Sequence, residues 1–191
     1  MRKGKCITTY TGIEFYPLDP RMQDISTKDI AHALSLLCRA NGHYRHFYSV
    51  AQHSLNCAKE AKHRGYSKQV QLACLLHDAS EAYISDVTRP VKQGLHQYLE
   101  IEQHLQQFIY TFYGLSDLTQ YEYNLIKEID DDMLDYEMEI LMHCNITYNG
   151  KLAEKYNMQF VMMDKIEEEF IRLTELLQEE IKFSKEAITT L

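Results

Sequence analysis

Three features of this 191-residue chain predict an all-α fold. Glycine and proline number only 7 and 3, well short of the roughly 12% that the two supply in an average protein. All three prolines (Pro17, Pro20 and Pro90) fall in the first half, so nothing later in the chain forbids long helices. From Ser26 onward, apolar residues recur at helical spacing. At 45% hydrophobic and 25% charged residues the composition is globular, and the length suits one domain with its own core.

The elements follow in order. Residues 6–18 (CITTYTGIEFYPL) are rich in Thr, Tyr, Ile and Phe around Thr11-Gly12, which predicts a small β-hairpin. Ser26, with Asp29 three residues on, forms an N-terminal box for a helix carrying Ile30, Ala33, Leu34, Leu37 and Cys38 and ending near Gly42. A second helix covers about 47–63 and stops at Gly65; Ser67 caps a third that runs to about 84. The centre of the third, Val70 to Leu76, is nearly all apolar, which places it centrally. Pro90 and Gly94 mark a loop with one short turn, and helices follow at about 96–113, 117–146 and 155–182, separated at Gly114 and Gly150. The expected organisation is a single domain of about six helices: a hairpin segment at 1–25, a core at 26–146 and a C-terminal helix within 150–191. There is no internal repeat.

The net charge of -8, from 20 Lys and Arg against 28 Asp and Glu, is a poor match for duplex nucleic acid or an anionic membrane. A small anionic substrate stays compatible with it, because a bound metal and a few local cations reverse the field inside one pocket. Five cysteines (Cys6, Cys38, Cys57, Cys74 and Cys144), odd in number and without a CxxC pair, read as reduced core thiols. The start MRKGKCITTY lacks an apolar stretch, and no apolar run approaches the ~18 residues of a membrane span, so a soluble cytoplasmic protein is expected.

The sharpest local feature is His77-Asp78, directly after Leu72-Ala73-Cys74-Leu75-Leu76 and followed by Glu81. On a helix these three polar groups face one pocket, and burying them unpartnered would cost several kcal/mol. A metal ion resolves that cost; a hydrogen-bonded His–carboxylate pair at a helix end is the alternative. On the helix from Thr119, about 100° per residue places Leu125, Ile126, Ile129, Met133, Tyr136, Ile140 and Cys144 within an arc of roughly 100°. Asp131, Asp132, Asp135 and Glu139 lie opposite and need only water. Asp130 and Glu137 project toward the edge of the apolar arc, where a carboxylate needs a cation or donors, as a site residue or in a structural salt bridge. A third element, GHYRHFYSVAQHS at Gly42 to Ser54, holds His43, His46 and His53. His53 shares the inward face of Val50 and Cys57, whereas His43 and His46 precede the helix, as supporting or substrate groups.

A His on one helix, a His-Asp pair on the next and a distant Asp on a later helix resemble the HD-domain metal-dependent phosphohydrolases. The segment HDASEAYISDVTRPVK, residues 77–92, is similar to that of the branch including 5'-deoxynucleotidases, with Glu81, Asp86, Pro90 and Lys92 at the matching positions. Asp130 followed by Glu137 also resembles the final motif of that branch. The resemblance covers about residues 26–145, and TYTGIEFYPLDP is similar to the start of small HD hydrolases. The deoxynucleotidases carry an Arg-Trp pair upstream of the first His; this chain has Arg39-Ala40 and no tryptophan.

The resemblance implies one divalent metal ion (Mn, Co, Fe, Zn or Mg) held by His53, His77, Asp78 and Asp130. It also implies hydrolysis of a small phosphorylated substrate, such as a (deoxy)nucleoside 5'-monophosphate. Glu81, with Asp78, is the candidate for orienting the attacking water and relaying its proton. Arg39 and Lys92 then neutralise phosphate charge, and Asp86 accepts from a sugar hydroxyl. Three other readings are a two-metal phosphodiesterase drawing on His96 and His104, a non-catalytic nucleotide- or metal-binding module, and a helical interaction protein. The last is motivated by Met163, Ile166, Phe170, Leu173, Leu177 and Ile181, a stripe suited to the core or to a homodimer seam.

Overall fold

The computed structural model describes residues 2–142 and 151–189, with side chains as far as residue 184. The expected helix end near 146, the inward Cys144 and the break at Gly150 lie outside the described residues. The architecture is all-α with a two-stranded antiparallel hairpin at the N-terminus. No helix among the described residues is long and apolar enough to cross a membrane.

Strands β1 (Ile7–Thr8) and β2 (Glu14–Phe15) pair with Ile7 opposite Phe15, and the chain reverses through Gly12 at a φ of 87°. That left-handed conformation suits glycine. Phe15 is fully buried and stacks on Tyr83, ring centroids 3.7 Å apart. Helix α1 (Thr27–Leu36) starts as its cap predicts, the Ser26 hydroxyl accepting from the Asp29 amide. The Asp29 carboxylate does not reach back to Ser26. It accepts from the Thr9 hydroxyl at 2.8 Å, the Thr11 amide at 2.7 Å and the Thr11 hydroxyl at 2.8 Å, which pins the hairpin turn onto α1.

Helix α1 ends at Leu36 rather than near Gly42, because the backbone beyond it pairs with a later segment instead of its own turn. The Arg39 amide donates to the Tyr48 carbonyl and the Val50 amide to that of Leu37, while Cys38 bridges Ser49. Ala40 and Asn41 then take positive φ values of 52° and 50°, a conformation that Asn adopts readily and Ala at a cost. The outcome is a tight turn that leaves the Arg39 side chain buried.

Helices α2 (Val50–His63) and α3 (Lys68–Leu76) are capped by the hydroxyls of Ser49 and Ser67, which accept from the Gln52 and Val70 amides. All of Val70 to Leu76 is buried, between α2, α7 and α8, so α3 is central as its apolar run predicts. It stops at Leu76 instead of continuing to 84. Residues 77–80 form turns closed by three-residue bonds, Ala79 to Leu76 and Glu81 to Asp78, before the single turn of α4 (Glu81–Ile84). A short α5 (Arg89–Lys92) with Pro90 in its first turn precedes α6 (His96–Phe112) and α7 (Gln120–Leu141), the latter begun by a Thr119–Glu122 capping box.

Helix α8 (Met163–Thr189) starts later than the expected 155. The irregular stretch before it is held by side chains of α2 rather than by helical bonds. Glu60 accepts from the Ala153 amide and the Tyr156 hydroxyl, and the Gln52 amide donates to the Asn157 and Gln159 carbonyls. The apolar stripe of α8 packs within the chain on α1 and α3: Ile166, Phe170 and Leu177 are buried and Leu173 and Ile181 partly so. That stripe therefore packs within the chain, as part of its core.

Candidate metal centre

The break after α3 decides the geometry. Because helical bonds give way to tight turns at Leu76, His77 and Asp78 leave the helix end together, facing α2 and α7. The His53 Nε2 atom, from the middle of α2, lies 3.2 Å from His77 Nε2 and 3.2 Å from Asp130 Oδ1 on α7. His77 Nε2 is 3.3 Å from Asp78 Oδ2 and 3.6 Å from Asp130 Oδ1, and His53 Nε2 is 4.0 Å from Asp78 Oδ2. The four side chains named in the sequence thus converge on one point.

The opposite edges of both imidazoles are fixed. His77 Nδ1 donates to the Cys74 carbonyl at 2.8 Å, a group that can only accept. His53 Nδ1 lies 2.7 Å from Glu137 Oε1, and the buried Glu137 carboxylate also accepts from Arg39 Nε and the Tyr44 hydroxyl, each at 3.2 Å. Burial pushes the Glu137 carboxyl up, but His53 and Arg39 outweigh it and hold the group below the usual range, so it is ionised. With both Nδ1 atoms donating, both Nε2 lone pairs point into the cluster toward two carboxylate oxygens. Four electron-rich atoms meet there, and a cation or a proton must satisfy them.

The electrostatics follow from that crowding. Burial lowers the His77 pKa, but Asp78 and Asp130 outweigh it and raise it well above the ordinary imidazole value. Burial pushes both carboxyls up, but His53 and His77 bring Asp130, and His77 with Arg39 brings Asp78, well below the carboxylate range. In the absence of an ion a proton on His77 Nε2 takes its place, so protons and metal compete for one lone pair.

Sequence reasoning passed over Cys57 as a core thiol. It stands one turn after His53 on the same face of α2, its Sγ 3.5 Å from His53 Nε2. His53, Cys57 and His77 form a buried group, donor atoms all within 4.8 Å of one another, that can hold a metal ion. The signal was the four-residue spacing from His53. Arg89 was also missed. It binds the outer oxygen of Asp130, Oδ2, at 2.6 Å and also pairs with Asp131.

Around this centre, Glu81 is buried; its Oε1 accepts from Lys92 Nζ at 3.2 Å and its buried Oε2 has no hydrogen-bond partner. Burial raises the Glu81 pKa well above the usual value, reinforced by Asp78 and Asp86. Lys92 also donates to Glu102 at 2.6 Å. Asp86 is half-buried and in electrostatic reach of Arg39, Asp78, Lys92 and His53; burial raises its pKa. The Arg39 guanidinium ties Glu137 to Asp78, reaching Asp78 Oδ2 at 3.2 Å. A cleft of about 320 Å³ opens beside His77 and Asp78, bordered by Lys92, Leu99, Glu102 and Gln103.

The expectations for the remaining residues divide. His96 and His104 are exposed, as their polar neighbours predict, and offer no second inward histidine pair. His43 is exposed, and His46 donates to the Met158 carbonyl at 2.8 Å, supporting the stretch before α8. Asp131, Asp135 and Glu139 are on the open side of α7. Asp132 is not: it is buried and pairs with Arg64 at 2.8 Å, because the long guanidinium at the end of α2 covers that flank of α7. The apolar arc alone did not delimit the buried surface.

Glu137→Gln is expected to lower metal affinity about 10–100-fold, because the amide loses the charge that His53 Nδ1 and Arg39 Nε share. Equilibrium dialysis of a manganese or cobalt salt against wild type and variant measures it; equal affinities would make Glu137 a packing residue only.

No family model matches the chain. Over 109 residues it is 38% identical to the uncharacterized protein YfdR of Escherichia coli (strain K12), an alignment covering 57% of this chain and 58% of that protein. Over 103 residues it is 37% identical to the uncharacterized protein RCAP_rcc00048 of Rhodobacter capsulatus, covering 51% and 53% respectively. The chain thus spans just over half the length of these curated relatives.

Proposed function

We propose that this chain is a divalent-metal-dependent phosphohydrolase of the HD type, cleaving the phosphomonoester of a small nucleotide such as a (deoxy)nucleoside 5'-monophosphate. One observation carries the reading: two imidazole nitrogens and two carboxylate oxygens, drawn from α2, α7 and the end of α3, converge, each nitrogen 3.2–4.0 Å from the other and from both oxygens. Donors about 2.1 Å from one ion stand roughly 3 Å apart when adjacent on an octahedron and roughly 4.2 Å apart across it. The separations of 3.2, 3.3 and 3.6 Å fit the first spacing and the 4.0 Å between His53 and Asp78 fits the second. His53, His77, Asp78 and Asp130 are therefore the residues that would hold the ion.

When bound, such an ion supplies an acidified water and a Lewis acid for a phosphoryl oxygen. The chain supplies the rest. Glu81, buried beside Asp78, has a free oxygen, Oε2, that accepts the proton of an attacking water and passes it toward the leaving oxygen. Lys92 borders the cleft and offsets phosphate charge there. Arg39 adds positive potential while it steadies Asp78. Together with the bound ion these cations would offset locally the field of a chain whose net charge is -8. Asp86, half-buried with no charged partner bound directly to it among the described residues, stands ready to accept from a sugar hydroxyl.

The test is phosphate release by chelator-stripped protein, with single divalent metals added back, from a panel of ribo- and deoxyribonucleoside monophosphates. Metal-dependent release from at least one 5'-monophosphate is expected. Stoichiometric metal binding with no release from any member would leave a metal-binding module and remove the hydrolase.

A further inference from the structure

Helix α3 has no stop signal of its own. The stretch Leu76-His77-Asp78-Ala79-Ser80 contains neither glycine nor proline, yet the helical ladder ends at Leu76. The last four carbonyls of a helix need partners from outside it, and here side chains serve three of them. The Ala73 carbonyl accepts from the Tyr110 hydroxyl at 3.1 Å, that of Cys74 from His77 Nδ1 at 2.8 Å and that of Leu76 from Gln106 Nε2 at 2.7 Å. Gln106 and Tyr110 stand one turn apart on the same face of α6. In a continued helix the Ser80 amide would donate to the Leu76 carbonyl. It donates instead to Gln106 Oε1 at 3.0 Å. One carboxamide thus holds both halves of the missing bond, and His77 and Asp78 lie between the two backbone groups that it pins. A side chain inserted into the ladder in this way is a recognised cause of a helix break.

We propose that Gln106 is a positioning residue of the metal centre: its carboxamide, inserted between Leu76 and Ser80, ends α3 at the point where His77 and Asp78 meet His53 and Asp130. The inference rests on the metal-centre reading above and adds to it a group that acts through the backbone rather than on the ion. Without the carboxamide, the Leu76 carbonyl and the Ser80 amide are free to bond each other. The ladder then closes, and α3 runs on into α4 as the residue pattern up to about 84 predicts. Each residue of a regular helix turns the next by about 100°, so closing the ladder changes where His77 and Asp78 point relative to the fixed His53 and Asp130. Donors that serve one ion tolerate little such displacement.

Two variants of the chelator-stripped full chain test this. Gln106→Leu removes both hydrogen bonds at similar volume. Tyr113→Phe is the control: it removes the buried hydrogen bond, 2.8 Å long, that joins the end of α6 to the Thr27 hydroxyl on α1, away from the break. Both are expected to lower Tm. Mn(II) affinity, read by electron paramagnetic resonance, is expected to fall about 10–100-fold in Gln106→Leu, the usual cost of losing a group that orients metal ligands. In Tyr113→Phe it should hold within about twofold. The visible d–d spectrum of bound Co(II), which reports the arrangement of the donors rather than stability, is expected to change in Gln106→Leu alone. Wild-type affinity and an unchanged cobalt spectrum in Gln106→Leu overturn the positioning role and leave the centre standing. Affinity lost in both variants in step with Tm makes α6 a packing element only and overturns it as well. Wild type that binds neither manganese nor cobalt at one per chain overturns the centre and this inference together. Should Gln106→Leu fail to fold, Gln106→Asn, which keeps the carboxamide but withdraws it by one methylene, is measured in its place with the same outcomes.

Discussion

Asp130→Ala is expected to strip the centre of its ion and to lower phosphate release on the order of 10³-fold, the several kcal/mol of charge stabilisation that a metal supplies. Asp131→Ala, one residue along the same helix, is expected to change metal content and rate by no more than about twofold, as an exposed substitution does. The contrast comes from the 100° turn between neighbours. Asp130 Oδ1 lies 3.2 Å from His53 Nε2 and 3.6 Å from His77 Nε2, while Asp131 binds Lys127 and Arg89 at the surface. Arg89 is half exposed, so freeing it from Asp130 leaves no buried unpaired charge and the fold is expected to survive. Metal content by atomic emission, far-ultraviolet circular dichroism and initial rates on the same preparations separate the outcomes. Equal losses in the two variants would undo the assignment of Asp130 to the inward side of α7.

That prediction was open to a reader of the sequence alone, and the reason is helical periodicity. His53 and Cys57, or Asp130 and Glu137, are placed by counting turns, since each helix imposes one phase on its side chains. The hairpin, the caps at Ser26 and Ser67 and the central position of α3 were legible for the same local reason. What was not legible depends on partners distant in the chain. The apolar run through Leu76 gives no hint that the helix ends there, yet that end brings His77 and Asp78 beside His53. Leu37 and Cys38 continue the helical pattern of α1, but their backbone pairs with residues 48–50 instead. The side of Asp132 was misjudged because a helix packed on two flanks has no single solvent face, and Arg64 arrives from α2 to cover the second. The start of α8 was misplaced because side chains of α2 capture the backbone ahead of it, an effect that propensity cannot register.

Glu81→Gln is expected to keep the ion and the fold but to lose about 10²–10⁴-fold in kcat, the usual contribution of a positioned acid–base group. The substitution is nearly isosteric. The amide oxygen can still accept from Lys92 Nζ, as Oε1 does at 3.2 Å, so the Lys92–Glu102 pair and the cleft wall stay in place. What disappears is the ability of the second, buried oxygen to take a proton. Burial with the nearby charges of Asp78 and Asp86 raises the Glu81 pKa well above that of an ordinary carboxyl, toward the pH at which a general base works best. Wild-type turnover should then climb with pH as Glu81 loses its proton, and that limb should be missing in Glu81→Gln. KM should change little, because Glu81 acts on the water rather than on the phosphate. A variant that retained both the rate and the acid limb would make Glu81 a strut for Lys92 and assign proton transfer to Asp78, a carboxylate that borders the cleft. A variant that lost its metal would instead place Glu81 among the groups that hold the ion.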